Sequence, residues 1–118
     1  MKKYLFSLLI SLFSISAIAN TDSLDEINHL LSFVENTNCK YERNGKIHTG
    51  AEAVEHIKKK YDYYKDDIVT AEDFVKYAAT KSKMSGKFYW VQCDSNSRIK
   101  SKDWLLRELH HFSQIDTD

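Results

Sequence analysis

The chain has no proline, only three glycines and two cysteines, and no excess of either charge. With no proline to punctuate it, Gly45, Gly50 and Gly86 are its main turn markers. Each is expected at a turn or in the opening turn of a helix. Standing alone, they cannot form a glycine-rich loop that cradles phosphate, and the two separated cysteines do not make a zinc-type pair. No Ser-His-Asp spacing is present. Basic and acidic residues number 17 each, and removal of Lys2 and Lys3 with a leader leaves 15 against 17, a net charge of −2 with neutral histidines. Such a surface gives no reason to expect nucleic acid or anionic lipid as the main ligand.

What is there begins with an export signal. Lys2 and Lys3 precede an apolar run from Leu5 to Ile18, and Ala17-Ile18-Ala19 offers small residues where signal peptidase needs them. The run is shorter than the roughly 20 residues of a membrane span, and no later stretch is apolar enough for one. The expected organisation is a signal peptide over residues 1–19, cleaved after Ala19, and one α+β domain over residues 20–118 in the periplasm. In that oxidising compartment Cys39 and Cys93 are expected to form one disulfide.

Ser23-Leu24-Asp25-Glu26 reads as a capping box, and Leu24, Ile27, Leu30, Leu31 and Val34 recur at helical spacing, predicting a helix to about Glu35. Cys39 to Arg43 alternates, Asn44-Gly45 suits a tight turn, and Lys46-Ile47-His48 returns, which predicts a hairpin. Thr49 with Glu52 caps a second helix whose buried stripe is Val54, Ile57, Tyr61 and Tyr64. Thr70 opens a third, with Phe74, Val75 and Ala78 inward. Phe88 to Cys93 has strand composition, Asp94 to Lys100 reads as a polar loop, and Ser101 is expected to cap a last helix carrying Leu105, Leu109 and Phe112. About four helices with a hairpin and a third strand, mostly antiparallel, give the α+β class.

His48, Glu52 and His56 form the sharpest polar constellation, because Glu52 and His56 stand one helical turn apart and Lys60 extends the row. Two accounts fit it. The three donors would hold zinc with an open position for hydrolysis. Alternatively, Glu52 caps the helix, His56 makes a half-buried hydrogen bond and Lys60 meets solvent. Arg43, beside the Asn44-Gly45 turn, suits a bidentate grip on carboxylate or phosphate, or an ordinary salt bridge. Ser82 to Tyr89 presents hydroxyls and lysines on a loop that Gly86 bends, a form often used to bind partners. Lys58-Lys59-Lys60 with Tyr61, Tyr63 and Tyr64 reads either as a sugar- or polyanion-binding surface or as a solvated helix face beside core aromatics.

Several phrases together resemble the YfeK-like family of small exported bacterial proteins. They are Glu26 to Val34, Cys39 to Gly45, Glu52-Ala53, His56-Ile57, Lys60-Tyr61, Thr70 to Phe74, and Ser85 to Tyr89. The resemblance supports export, one domain and the pairing of Cys39 with Cys93, and assigns no activity. It implies that Arg43, His48, Glu52, His56, Lys60, Ser82, Ser85, Gly86 and Tyr89 belong to the family pattern. Ser85-Gly86-Lys87-Phe88-Tyr89 alone is similar to a loop motif of periplasmic lysozyme inhibitors, which enters the enzyme's cleft. The expectation is a non-enzymatic binding protein of the cell envelope, without cofactor, engaging an envelope protein or cell-wall fragment. A lysozyme inhibitor and a metal-dependent hydrolase are the alternatives.

Overall fold

The computed structural model describes residues 21–116, so the leader expected at the start of the chain lies outside the described residues. The elements run α1 (Thr21–Glu35), β1 (Lys40–Arg43), β2 (Lys46–His48), α2 (Gly50–Tyr63), a 3-10 turn (Lys65–Asp67), α3 (Ala71–Ala78), β3 (Trp90–Gln92), β4 (Ile99–Lys100) and α4 (Ser101–Asp116). This is an α+β fold in which the strands lie in the order β2-β1-β3-β4, with every pair antiparallel.

Local chemistry sets most of these boundaries. Asn44 and Gly45 take φ of 53° and 82°, the two-residue turn whose twist matches a hairpin. Reciprocal capping boxes start α2 at Thr49 with Glu52 and α3 at Thr70 with Asp73. Asp73 accepts the Val69 and Thr70 amides, and those bonds lower its pKa. At Gly50, a Cβ would meet the Val34 carbonyl at 2.2 Å, so only glycine lets the start of α2 lie against the end of α1.

Four expectations are corrected. Ser23 lies inside α1, and Glu26 accepts a hydrogen bond from the Ser113 hydroxyl of α4 (3.0 Å). Leu24 is 44% exposed, so the buried stripe of α1 is Ile27, Leu30 and Val34. Ile99 and Lys100 form a fourth strand within the expected polar loop, pairing with Val91 and Trp90. Ser101 opens α4 as its first residue, and its buried hydroxyl bonds the Tyr41 hydroxyl. Burial pushes the Tyr41 phenol up, so that hydroxyl stays neutral.

Register explains which residues face the helices. Tyr41 lies opposite both His48 and Val91, and Val91 opposite Ile99, so these four share one sheet face. Period-two alternation adds Arg43 and Tyr89 to it. Tyr41, Val91 and Tyr89 enter one buried cluster with Ile27, Leu30, Val54, Ile57, Phe74, Trp104 and Leu105. The other face carries Glu42, Ile47 and Trp90, with Arg98 bridging Glu42 at 3.0 Å and lying over the Trp90 ring.

Cys39 and Cys93 flank the paired residues Lys40 and Gln92, and their disulfide closes the end of β1 and β3 with Cα atoms 4.3 Å apart. The sequence separation of 54 corresponds to about 4 kcal/mol of restricted unfolded-chain entropy. That is a large share of the roughly 5–15 kcal/mol by which small domains are stable. A Cys39→Ser, Cys93→Ser variant is expected to lose stability on that scale in urea unfolding, and an unchanged midpoint would show that the sheet needs no staple.

Candidate functional site

The site forms where the helix-facing side of the sheet meets α2. β1 ends on Arg43, β2 ends on His48, and the chain enters β3 through Tyr89. Across from them α2 presents Glu52, His56 and Lys60 at four-residue intervals, one helical row. Arg43, His48, Glu52, His56 and Tyr89 line a small recess with Tyr41, Ala53 and Ile57 at its base. Its cavity volume is about 20 Å³, enough for a single oxygen-sized group.

Tyr89 organises this recess. Its side chain is 2% exposed, and its hydroxyl lies 3.1 Å from His56 Nε2 and 3.2 Å from Lys60 Nζ. An ammonium has only donors, so the phenol oxygen accepts from Lys60. The phenol hydrogen is then free to be donated to His56 Nε2. That direction requires a neutral His56, and the surroundings enforce one. Burial first, then the positive charges of Arg43, Lys60 and Lys59, lower its pKa to about 4. Lys60 is itself pushed down by burial and by Arg43, and it anchors by donating to the Lys81 carbonyl at 2.7 Å. Lys60 is thus held over the site and does not simply point into solvent.

Glu52 is the one carboxylate lining the recess. Its Oε1 accepts the Thr49 amide at 3.0 Å and faces His48 Nδ1 at 3.6 Å. The far nitrogen of that ring, His48 Nε2, is buried without a hydrogen-bond partner among the described residues. Arg43 is half-buried and forms no hydrogen bond or ion pair with any described residue. The recess therefore gathers committed groups, Glu52, His56 and Tyr89 with Lys60 bonded to the tyrosine, and two sites left uncommitted, the Arg43 guanidinium and His48 Nε2.

As a metal site the constellation is weak. Glu52 turns to His48 and to the helix cap, whereas His56 turns to Tyr89, and among the described residues no three His, Cys, Asp or Glu side chains converge to hold an ion. Residues 83–87 of the Ser82 to Tyr89 loop are exposed, but its serine hydroxyls are used within the fold. Ser82 is buried, with its hydroxyl accepting the Ser85 amide. The Ser85 hydroxyl donates to Asn44 Oδ1 at 2.6 Å and accepts the Lys87 amide, pinning the loop to the hairpin turn. Gly86, at φ 74°, closes the loop in a backbone conformation that other residues rarely adopt. Tyr89 is buried and is not presented at a loop tip. Ser82, Ser85 and Gly86 thus shape the loop, and Arg43, His48, Glu52, His56 and Tyr89 line the recess, with Lys60 bonded to its tyrosine.

The depressed pKa of His56 has a definite sign. Its ordinary value is 6.5 and its folded value about 4, so between these the unfolded chain binds more protons than the folded one. The neutral ring's contribution to stability is complete above pH 6.5 and is lost as pH falls through 4. A histidine NMR titration is expected to give His56 a midpoint near 4, with unfolding free energy falling over the same interval more steeply than in His56→Gln. A midpoint at the ordinary value would contradict the hydrogen-bond direction drawn here.

A family model described as "Family of unknown function (DUF5329)" matches residues 21–113. A curated relative, "Uncharacterized protein YfeK" of Salmonella typhimurium, is 33% identical over 92 residues, which cover 75% of this chain and 77% of the relative. No solved structure matches. The resemblance to YfeK-like proteins is thereby supported, and the likeness to lysozyme inhibitors is not. The chain belongs to the DUF5329 family.

Proposed function

We propose that this protein is an exported, non-enzymatic binding module of the bacterial cell envelope that grips a carboxylate of a cell-wall fragment between Arg43 and His48. The observation that carries the reading is the pair of uncommitted groups in one recess: a guanidinium with no counter-ion and a buried imidazole nitrogen with no partner among the described residues. A buried polar atom left unpaired costs about 1–3 kcal/mol, and a ligand carboxylate oxygen in the recess would remove that cost with the ring hydrogen on His48 Nε2, since Nδ1, 3.6 Å from Glu52, makes no hydrogen bond among the described residues that holds it there. Arg43 offers the planar fork that matches a carboxylate, and the nearby Lys60 adds positive charge held in place by Tyr89 and Lys81.

Binding is favoured over turnover by how the groups are already used. His56 accepts from Tyr89, Glu52 caps α2, and the serines of the nearby loop hold its backbone. The hydroxyl that does meet a base here, Tyr89 at His56, is buried and already accepts from Lys60, so it is not open to attack a substrate. Export accords with the disulfide, with the basic-apolar-small pattern of residues 1–19, and with the lack, among the described residues, of a helix long and apolar enough to cross a membrane.

Protein isolated from the periplasmic fraction, with Asn20 as its first residue, is expected to bind a soluble muropeptide with free stem-peptide carboxylates in calorimetry. The amidated muropeptide is expected to bind more weakly. Arg43→Ala should weaken binding of the free acid by about tenfold or more, the scale of a lost hydrogen bond to a charged group. Equal affinity for acid and amide, or an unaffected Arg43→Ala variant of native circular dichroism, would contradict the reading.

A further inference from the structure

On the far side of Lys60 a second, larger concavity opens between the end of α2, α3, the segment after α3 and the first turns of α4. Its volume is about 540 Å³, within the range of roughly 300–1,000 Å³ typical of ligand sites. Five lysines line it, Lys60, Lys76, Lys81, Lys83 and Lys102, against the single carboxylate of Glu72. They come from four separate parts of the chain, so the fold creates this concentration of charge in a protein with no net charge. None of the five forms an ion pair with a described carboxylate.

The walls beneath these ammonium groups are apolar. Tyr64 and Tyr77 lie side by side with ring centroids 5.5 Å apart and planes tilted by 32°, and Val75 and Leu106 complete the lining. Lysines are held over the rings themselves. Lys83 Nζ lies 5.7 Å from the Tyr64 centroid and 5.3 Å from that of exposed Tyr63, and Lys76 Nζ lies 5.2 Å from the Tyr77 centroid. The combination selects for a ligand with acid groups on a body that also has apolar faces. A bare inorganic polyanion uses only the rim, and a flat bilayer surface does not enter a concavity.

We propose that this groove is a binding site for an anionic saccharide chain, whose acid groups meet the lysine rim while its sugar faces lie against Tyr64, Tyr77 and Val75. The site is separate from the Arg43 recess and is joined to it through Lys60, whose ammonium donates to Tyr89 and the Lys81 carbonyl.

The probe is an oligogalacturonate, with a neutral oligosaccharide of equal length and inorganic polyphosphate as comparisons, titrated into the mature protein and followed by amide NMR shifts. Expected are shifts centred on Tyr64, Lys76, Tyr77 and Lys102, and affinity for the uronate about tenfold or more above that for either comparison. Lys76→Glu with Lys102→Glu should abolish those shifts, while Arg43→Ala leaves them unchanged, which separates this site from the recess. The exposed single variant Lys76→Gln, which should weaken binding measurably, serves if the double variant does not fold. No uronate binding, shifts centred elsewhere, equal binding of polyphosphate or of the neutral oligomer, or indifference to the lysine variants would overturn the proposal.

Discussion

The pairing of β1 with β3 is the constraint on which the rest of the molecule depends. Strands of three and four residues are too short to hold their register through ladder bonds alone. Here the register is closed at one end by the Cys39–Cys93 bridge. It is also tied to α4 through Ser101, whose hydroxyl meets the Tyr41 hydroxyl and whose amide donates to the Tyr89 carbonyl. A slip of one residue would turn either Tyr41 and Arg43 or Tyr89 and Val91 to the opposite face. It would empty both the core and the recess at once, so stability and the proposed binding site share one structural cause.

From that register follows an electrostatic arrangement that is costly to build. Arg43, Lys60, His48 and His56 are brought together beside a single carboxylate, and two of the four groups respond with lowered pKa values. Tyr89 lets them coexist: it takes the Lys60 proton donor, gives its own hydrogen to a neutral His56, and is buried firmly enough to fix both. Positive charge concentrated beside a single carboxylate is a common mark of a site awaiting an anion. Lys60 extends the same field into the groove beyond.

Much of the fold was legible because local chemistry dictates it. Thr49 with Glu52 and Thr70 with Asp73 mark helix starts, and Asn44-Gly45 marks the hairpin, through bonds made within a few residues. Ser23 and Ser101 carry the same hydroxyl signal and mislead, since α1 extends through Ser23 and tertiary packing commits Ser101 to Tyr41, 60 residues away. Ile99-Lys100 is too short to show alternation and becomes a strand only because Trp90 and Val91 lie beside it. In the recess, the row Glu52, His56, Lys60 and the neighbours Arg43 and His48 could be read from spacing. The role of Tyr89 could not, because its phrase looks like an exposed loop until the sheet turns it inward. The groove left least trace: Lys76, Tyr77, Lys81, Lys83 and Lys102 lie on different elements and only the tertiary structure collects them.

The central claim is that the two unpaired groups of the recess, the Arg43 guanidinium and His48 Nε2, await a ligand carboxylate. It is tested most directly by a crystal structure of the protein bound to the free-acid muropeptide. The account predicts a carboxylate with one oxygen in the recess, within hydrogen-bond distance of the Arg43 guanidinium and of His48 Nε2, and Tyr89 still joined to His56 and Lys60. A muropeptide bound elsewhere, with Arg43 and His48 untouched, would contradict it.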